Sequence, residues 1–133
     1  MKKRFLIYGI AGWILEIIWT GLGSLLAGDL TLRCKTYLWM LPIYGMAVFM
    51  EPVYHKIKTY SWVARGFVWM IVIFAIEYCS GLTLKTMVGV YAWNYSDTPL
   101  HIGGLIRLDY APVWFAAGLL FEKAYCYLLD RTD

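Results

Sequence analysis

The stretch Ile71-Val72-Ile73-Phe74-Ala75-Ile76-Glu77-Tyr78-Cys79-Ser80-Gly81 places an ionisable carboxyl inside a run otherwise apolar enough to sit in lipid. A charge near the bilayer centre costs about 2.5 to 3.5 kcal/mol on insertion scales, so such residues face a bundle interior or a wet cavity and mark functional sites. The surrounding apolar segment reads as a helix over about 62–84, with Ser61 placed to cap it. At 1.5 Å per residue Glu77 lies about 22 Å from Trp62, too deep to reach either surface easily. Arg65, near the start, is expected to snorkel to the headgroups.

Composition extends this reading to the whole chain. Of 133 residues 61% are hydrophobic, 18% aromatic and 16% charged, and the mean hydropathy is +0.59. Soluble domains are about 45 to 50% apolar, so an integral membrane protein is expected, with the bilayer as its first partner. At about 20 residues per span the length accommodates four helices in one transmembrane domain over 1–133. The net charge of +3 is dispersed and forms no phosphate-tracking stripe, which argues against nucleic acid as a partner. Cys34, Cys79 and Cys126 are odd in number and widely spaced, suggesting neither a disulfide framework nor a metal site.

A second carboxylate recurs in the first span. Met1-Lys2-Lys3-Arg4 precedes an apolar run over about 5–27 that is longer than a signal-peptide core and contains Trp13, Glu16 and Trp19. Glu16 falls about 17 Å from the first apolar residue, near mid-membrane. Gly28 to Thr36 reads as a short polar connection. A second span covers about 37–55 and carries Pro42 and Pro52. Proline removes a backbone donor, so a break is expected at Leu41-Pro42-Ile43-Tyr44-Gly45, with the freed carbonyls facing protein or a cavity. The last span covers about 109–128, with Pro112 in its first turn, where proline is tolerated.

The longest connection, 89–108, holds Tyr91, Trp93 and Tyr95 at alternate positions among turn residues. Such spacing suits an extended segment presenting rings to one side, in an interfacial belt or folded over the bundle. Lys2, Lys3, Arg4, Lys56, Lys58, Arg65, Lys123 and Arg131 fall on the N-terminal side of this topology, against Arg33, Lys35, Lys85 and Arg107 on the other. The positive-inside bias therefore predicts both termini in the cytoplasm. In that orientation Glu16 and Glu77 lie at similar depth and are expected to share a site.

The blocks Gly12-Trp13-Ile14-Leu15-Glu16, Leu41-Pro42-Ile43-Tyr44-Gly45, Glu77-Tyr78 with Gly81, Trp93-Asn94-Tyr95-Ser96, and Gly104-Leu105-Ile106 followed by Trp114 span most of the chain. In this order they resemble the ABC-transporter type IV, or CmpB-like, family of small multipass membrane proteins of bacteria. The resemblance implies a transport-related protein of the bacterial cytoplasmic (inner) membrane. The family's fourth block reads Trp-Asp-Tyr-Ser, so Asn94 lacks its carboxylate, and a role requiring charge there is not expected. No segment matches G-x-x-x-x-G-K-[ST], so any ATP hydrolysis would require a separate subunit.

The residues themselves leave three classes open. Two mid-membrane carboxylates with aromatic neighbours suit a site for a cation, a proton-coupled solute or an amine, each ring face adding roughly 0.5 to 2 kcal/mol of cation–π attraction. Expected site residues are Glu16, Glu77, Tyr44, Trp93, Tyr95 and Arg107. The same carboxylates could instead only hold the bundle together, paired with Arg107 or Lys85 or with tyrosine and tryptophan donors. A non-transporting subunit of a larger complex would bind no solute alone, and an intramembrane lipid-modifying enzyme would release an altered lipid. H-E-x-x-H and G-x-S-x-G are missing, so no enzyme, metal or cofactor is expected. Four spans make a thin-walled site, and Gly9, Gly12, Gly21, Gly23 and Gly118 permit close helix approach, so a homodimer or a partner membrane protein is expected.

Overall fold

The computed structural model describes residues 1–132. The apolar stretches form helices in the expected order: α1 (Lys2–Leu26), α2 (Met40–Gly45), α3 (Glu51–Ile57), α4 (Trp62–Thr83) and α5 (Ala111–Thr132). Lys2–Leu26, and Trp62–Val88 where a π-turn prolongs α4, are long and apolar enough to cross a membrane. At 1.5 Å per residue the 25 residues of α1 span about 37 Å, more than the roughly 30 Å of a bilayer core. Contacts divide the described chain into two compact units, Met1–Val48 and the part from Phe49 onward.

In the first unit α1 carries α2 on a face of small residues. A methyl group on Gly9 would lie 2.6 Å from the Leu41 carbonyl oxygen, and one on Gly12 would lie 2.5 Å from the Tyr44 ring. Glycine at these positions therefore lets α2 approach the α1 backbone. The opposite side of α1 leaves Leu6, Ile10, Ile14, Ile18, Trp19 and Leu22 exposed. So large an apolar surface is what a lipid-facing helix requires.

The second apolar stretch is irregular, but its break lies at Met46–Met50, a 3₁₀ segment, and not at Pro42. Pro42 occupies the first turn of α2, where a backbone N–H has no intrahelical acceptor and its loss costs nothing. The tighter segment leads into Pro52, in the first turn of α3.

In the second unit Ser61 caps α4 as expected, its hydroxyl accepting the Ala64 N–H at 3.3 Å. α4 and α5 pack through paired small and aromatic residues: Gly66 against Phe115, and Gly118 against Trp69, which is fully buried. α4 ends in the π-turn Leu84–Val88 and a left-handed Gly89. Residues 89–110 then fold into a compact cap. Its hairpin pairs β1 (His101–Ile102) with β2 (Ile106–Arg107) in the register His101 to Arg107 and Ile102 to Ile106. Gly104, at φ +70°, turns the hairpin with its carbonyl accepting the Tyr95 N–H at 2.8 Å. A Cβ there would lie 2.7 Å from Asn94 Oδ1, so only glycine fits.

Candidate functional site

In the first unit, Glu16 sits on the α1 face toward the returning chain. Its Oε2 accepts the Thr36 hydroxyl at 2.6 Å, and that hydroxyl in turn accepts the Trp13 indole N–H at 2.9 Å. Tyr44, carried by α2, also hydrogen-bonds Glu16. Two predicted site residues, Glu16 and Tyr44, are therefore in direct contact. Thr36 is an addition that sequence spacing gives no sign of, because its approach depends on the course of residues 32–36.

Those residues are more than a connection. Ser24 Oγ donates to the Arg33 carbonyl at 2.5 Å, and Lys35 N–H donates to Thr20 Oγ1 at 3.0 Å. With the bond from Thr36 to Glu16, the segment runs back along α1 from Ser24 to Glu16. The turn that directs it is built on Asp29, whose carboxylate accepts the Thr31 hydroxyl at 2.6 Å and the Thr31 N–H at 3.0 Å. These two bonds, the hydroxyl first, hold the Asp29 carboxyl below the usual range. Leu32, at φ 54°, completes the reversal in a left-handed conformation unusual for a branched residue.

In the second unit, Glu77 lies on α4 with Oε1 accepting the Tyr95 hydroxyl at 3.2 Å. Tyr95 comes from the 89–110 cap and meets the Tyr110 ring edge-on at 6.3 Å, and Tyr110 meets Trp114 at 6.0 Å. Arg107 lies over the faces of Tyr110, at 4.2 Å, and Tyr95, at 5.7 Å. Its guanidinium forks onto Asp109 through Nε at 2.9 Å and Nη2 at 2.6 Å, and these bonds push its pKa further up. Asp109 is thus an ion-pair partner that the sequence places beside Arg107 but whose fork the spacing does not announce. Among the described residues the buried Trp114 Nε1 has no hydrogen-bond partner.

The three alternating aromatics of the cap do different work. Trp93 is buried, donates to the Leu105 carbonyl at 2.8 Å and packs against Gly81. Tyr91 is exposed with Lys85 4.9 Å over its ring. A single shared ring face, expected from the alternation, is therefore not formed. The cap bends at its turns, and each ring finds a separate partner.

A third polar cluster is centred on Glu122 of α5. Arg65 Nε lies 2.9 Å and 3.1 Å from its two oxygens, and the Trp69 indole donates to Oε1 at 2.7 Å. Arg65 Nη1 also donates to the Tyr60 carbonyl at 2.7 Å. The snorkelling expected of Arg65 is replaced by this inward pair, because the facing helix offers a buried carboxylate. Beside it, His55 Nε2 shares a 2.9 Å hydrogen bond with Tyr125 OH, and the Cys126 thiol lies 3.3 Å from Tyr54 OH.

Two helices are thus long and apolar enough to cross a membrane, and the carboxylates beside them are held by internal donors. The family described as Putative ABC-transporter type IV matches residues 4–132, and the chain is a member of it. This makes it a transporter-related membrane protein, in a family that is not an enzyme class. No solved structure matches the chain.

Proposed function

We propose that the protein is a four-span bundle of the bacterial cytoplasmic membrane, with both termini cytoplasmic, that binds or transports a small cationic, proton-coupled or amine-bearing solute. Glu16 and Glu77 are its binding carboxylates. Tyr44 and Tyr95 reach them directly, while Trp93 and Arg107 hold the walls. It works as a homodimer or with a partner membrane protein.

The observation that carries this reading is the Tyr95 hydroxyl on Glu77, which joins a deep carboxylate to a chain of ring contacts through Tyr110 to Trp114. The faces of Tyr95 and Tyr110 already accept the Arg107 guanidinium, so they are oriented for a cation. The test is thermal stability of the purified protein across pH and a panel of inorganic cations, organic amines and lipids, for wild type and Glu77→Gln. A ligand that binds the folded state raises its stability. The expected result is an amine- or cation-dependent shift lost in a still-folded Glu77→Gln. A variant that only melts earlier, with no ligand shifting wild type, refutes it in favour of a structural carboxylate in a non-transporting subunit.

A further inference from the structure

The polar connection of the first unit is non-helical backbone that returns alongside α1. Glu16 is ten residues from the end of α1 at Leu26, about 15 Å along the axis. Thr36 is bonded to Glu16 and therefore lies at that depth. The distance checks independently: Ser24 to Glu16 spans eight residues of helix, about 12 Å. Arg33 to Thr36 is three residues, at most about 10 Å of chain, with the side chains closing the remainder. The segment therefore descends alongside the outer half of α1, and α2 begins only at Met40.

Non-helical backbone at membrane depth survives where protein covers it or where it lines a water-filled cavity. Side chains of α1 satisfy one edge, through Ser24 on the Arg33 carbonyl and Thr20 on the Lys35 amide. No backbone–backbone hydrogen bond holds residues 33–36 among the described residues. Residues 31–35 are exposed, and they include two cations, Arg33 and Lys35. The Arg33 side chain is 82% exposed, 3.9 Å from Asp29. Lipid would leave these charges and amides unsolvated, and an apolar subunit face would do the same.

We infer that Leu32–Thr36 is one wall of a water-filled crevice that opens on the side of the membrane away from the N-terminus and leads down α1 to Glu16. The inference deepens the proposed function: given Glu16 as a binding carboxylate, the crevice is the route by which solute and protons reach it. The strained turn at Leu32 and the polar residues spaced down α1 serve to keep this route in place.

Cys34 is a native probe for the crevice. It lies on the segment, packed so closely at Gly21 that a methyl there would be 3.0 Å from its sulfur, about 8 Å below the end of α1. Membranes containing the full-length protein are treated with a membrane-impermeant cationic methanethiosulfonate, and modification is read at Cys34 by peptide mass mapping. The comparison is Ile18→Cys in a Cys34→Ser chain, at an exposed apolar position on α1, with Leu22→Cys as a second comparison should the first fail to fold. Only thiolate reacts, and a thiol facing hydrocarbon hardly ionises, so Cys34 is expected to react at least about tenfold faster, from the side away from the N-terminus.

Equal rates at Cys34 and the comparison position would place the segment in lipid and overturn the inference. Modification only after detergent extraction would mean that another chain covers it, and modification only from the N-terminal side would reverse the opening. Either result overturns it as well. Glu16→Gln separates this inference from the functional reading. If the crevice stands but Glu16 binds nothing, Cys34 labelling is unchanged while no ligand shift depends on Glu16.

Discussion

The Arg65–Glu122 pair offers a direct measure of what holds the second unit together. Its side chains are 22% and 9% exposed, and Arg65 Nε contacts both carboxylate oxygens. Breaking a buried pair by removing one partner costs about 3 to 5 kcal/mol, because a charge is left without compensation. Partial exposure of Arg65 lowers this to about 2 to 4 kcal/mol for Glu122→Gln. The amide oxygen of that variant still accepts from Trp69, so the ion pair is removed with little else. Arg65→Met is expected to cost as much or more, since it leaves a more deeply buried carboxylate with the Trp69 N–H. The double variant should be less destabilised than the sum of the two, by about 0.5 to 3 kcal/mol of coupling. Chemical denaturation in mixed micelles measures all four corners of this cycle. Additivity within about 0.5 kcal/mol would refute the pair as an energetic unit. Loss of the ligand-dependent shift in a folded Glu122→Gln would refute its assignment as a structural carboxylate and place it in the solute site.

Other perturbations test separate parts of the fold. Gly118→Ala puts a methyl into the Trp69 side chain and should destabilise by about 1 to 3 kcal/mol, read as an earlier melt; an unchanged melting temperature would contradict the close packing of α4 on α5. Leu32→Asn, at a left-handed position that asparagine tolerates, should be stabilising by up to about 1 kcal/mol, and a clear loss of stability would show that Leu32 packs rather than strains. Asp29 has a folded pKa below its unfolded value, so its contribution is present above the unfolded carboxyl pKa and disappears as pH falls through the lower folded one. Protection of the Thr31 amide from hydrogen exchange, corrected for intrinsic rates, should fall in that window in wild type and stay flat in Asp29→Asn. The same profile in both would remove Asp29 as the cause.

Much of the helix plan is legible because it rests on apolar runs and local signals. Ser61 and Pro112 mark the starts of α4 and α5, and both do so in the structure. Pro42 misleads because the same residue that breaks a helix interior is harmless in a first turn, and sequence alone does not say that α2 starts as late as Met40. Glu16 and Glu77 stand out as charges in apolar runs, and Tyr44 and Tyr95 do reach them. Thr36 and the Arg65–Glu122 pair are not legible, since they depend on where a loop returns and how two helices are rotated about their axes. A threonine in a polar connection and an arginine near a helix start carry no such information at 20 and 57 positions of separation.

The internal neutralisation of Glu122 also bears on α5. Its 22 residues extend about 33 Å, enough to cross a bilayer core. Average hydropathy counts Glu122, Lys123, Asp130 and Arg131 against it as though each met its surroundings alone. Glu122 does not, because two contacts from Arg65 and one from Trp69 already satisfy it. Asp130 and Arg131 lie in the last turn, at the level of a headgroup region if α5 crosses. Lys123 is nine residues from the end of α5, about 14 Å, and exposed, so among the described residues it is the one charge of the four that is neither paired nor near an end. Three of the four charges that separate α5 from α1 and α4 by composition are therefore paired within the protein or placed in the last turn. For Glu122 this depends on Arg65: without it, a buried carboxylate between α4 and α5 would be held by a single indole.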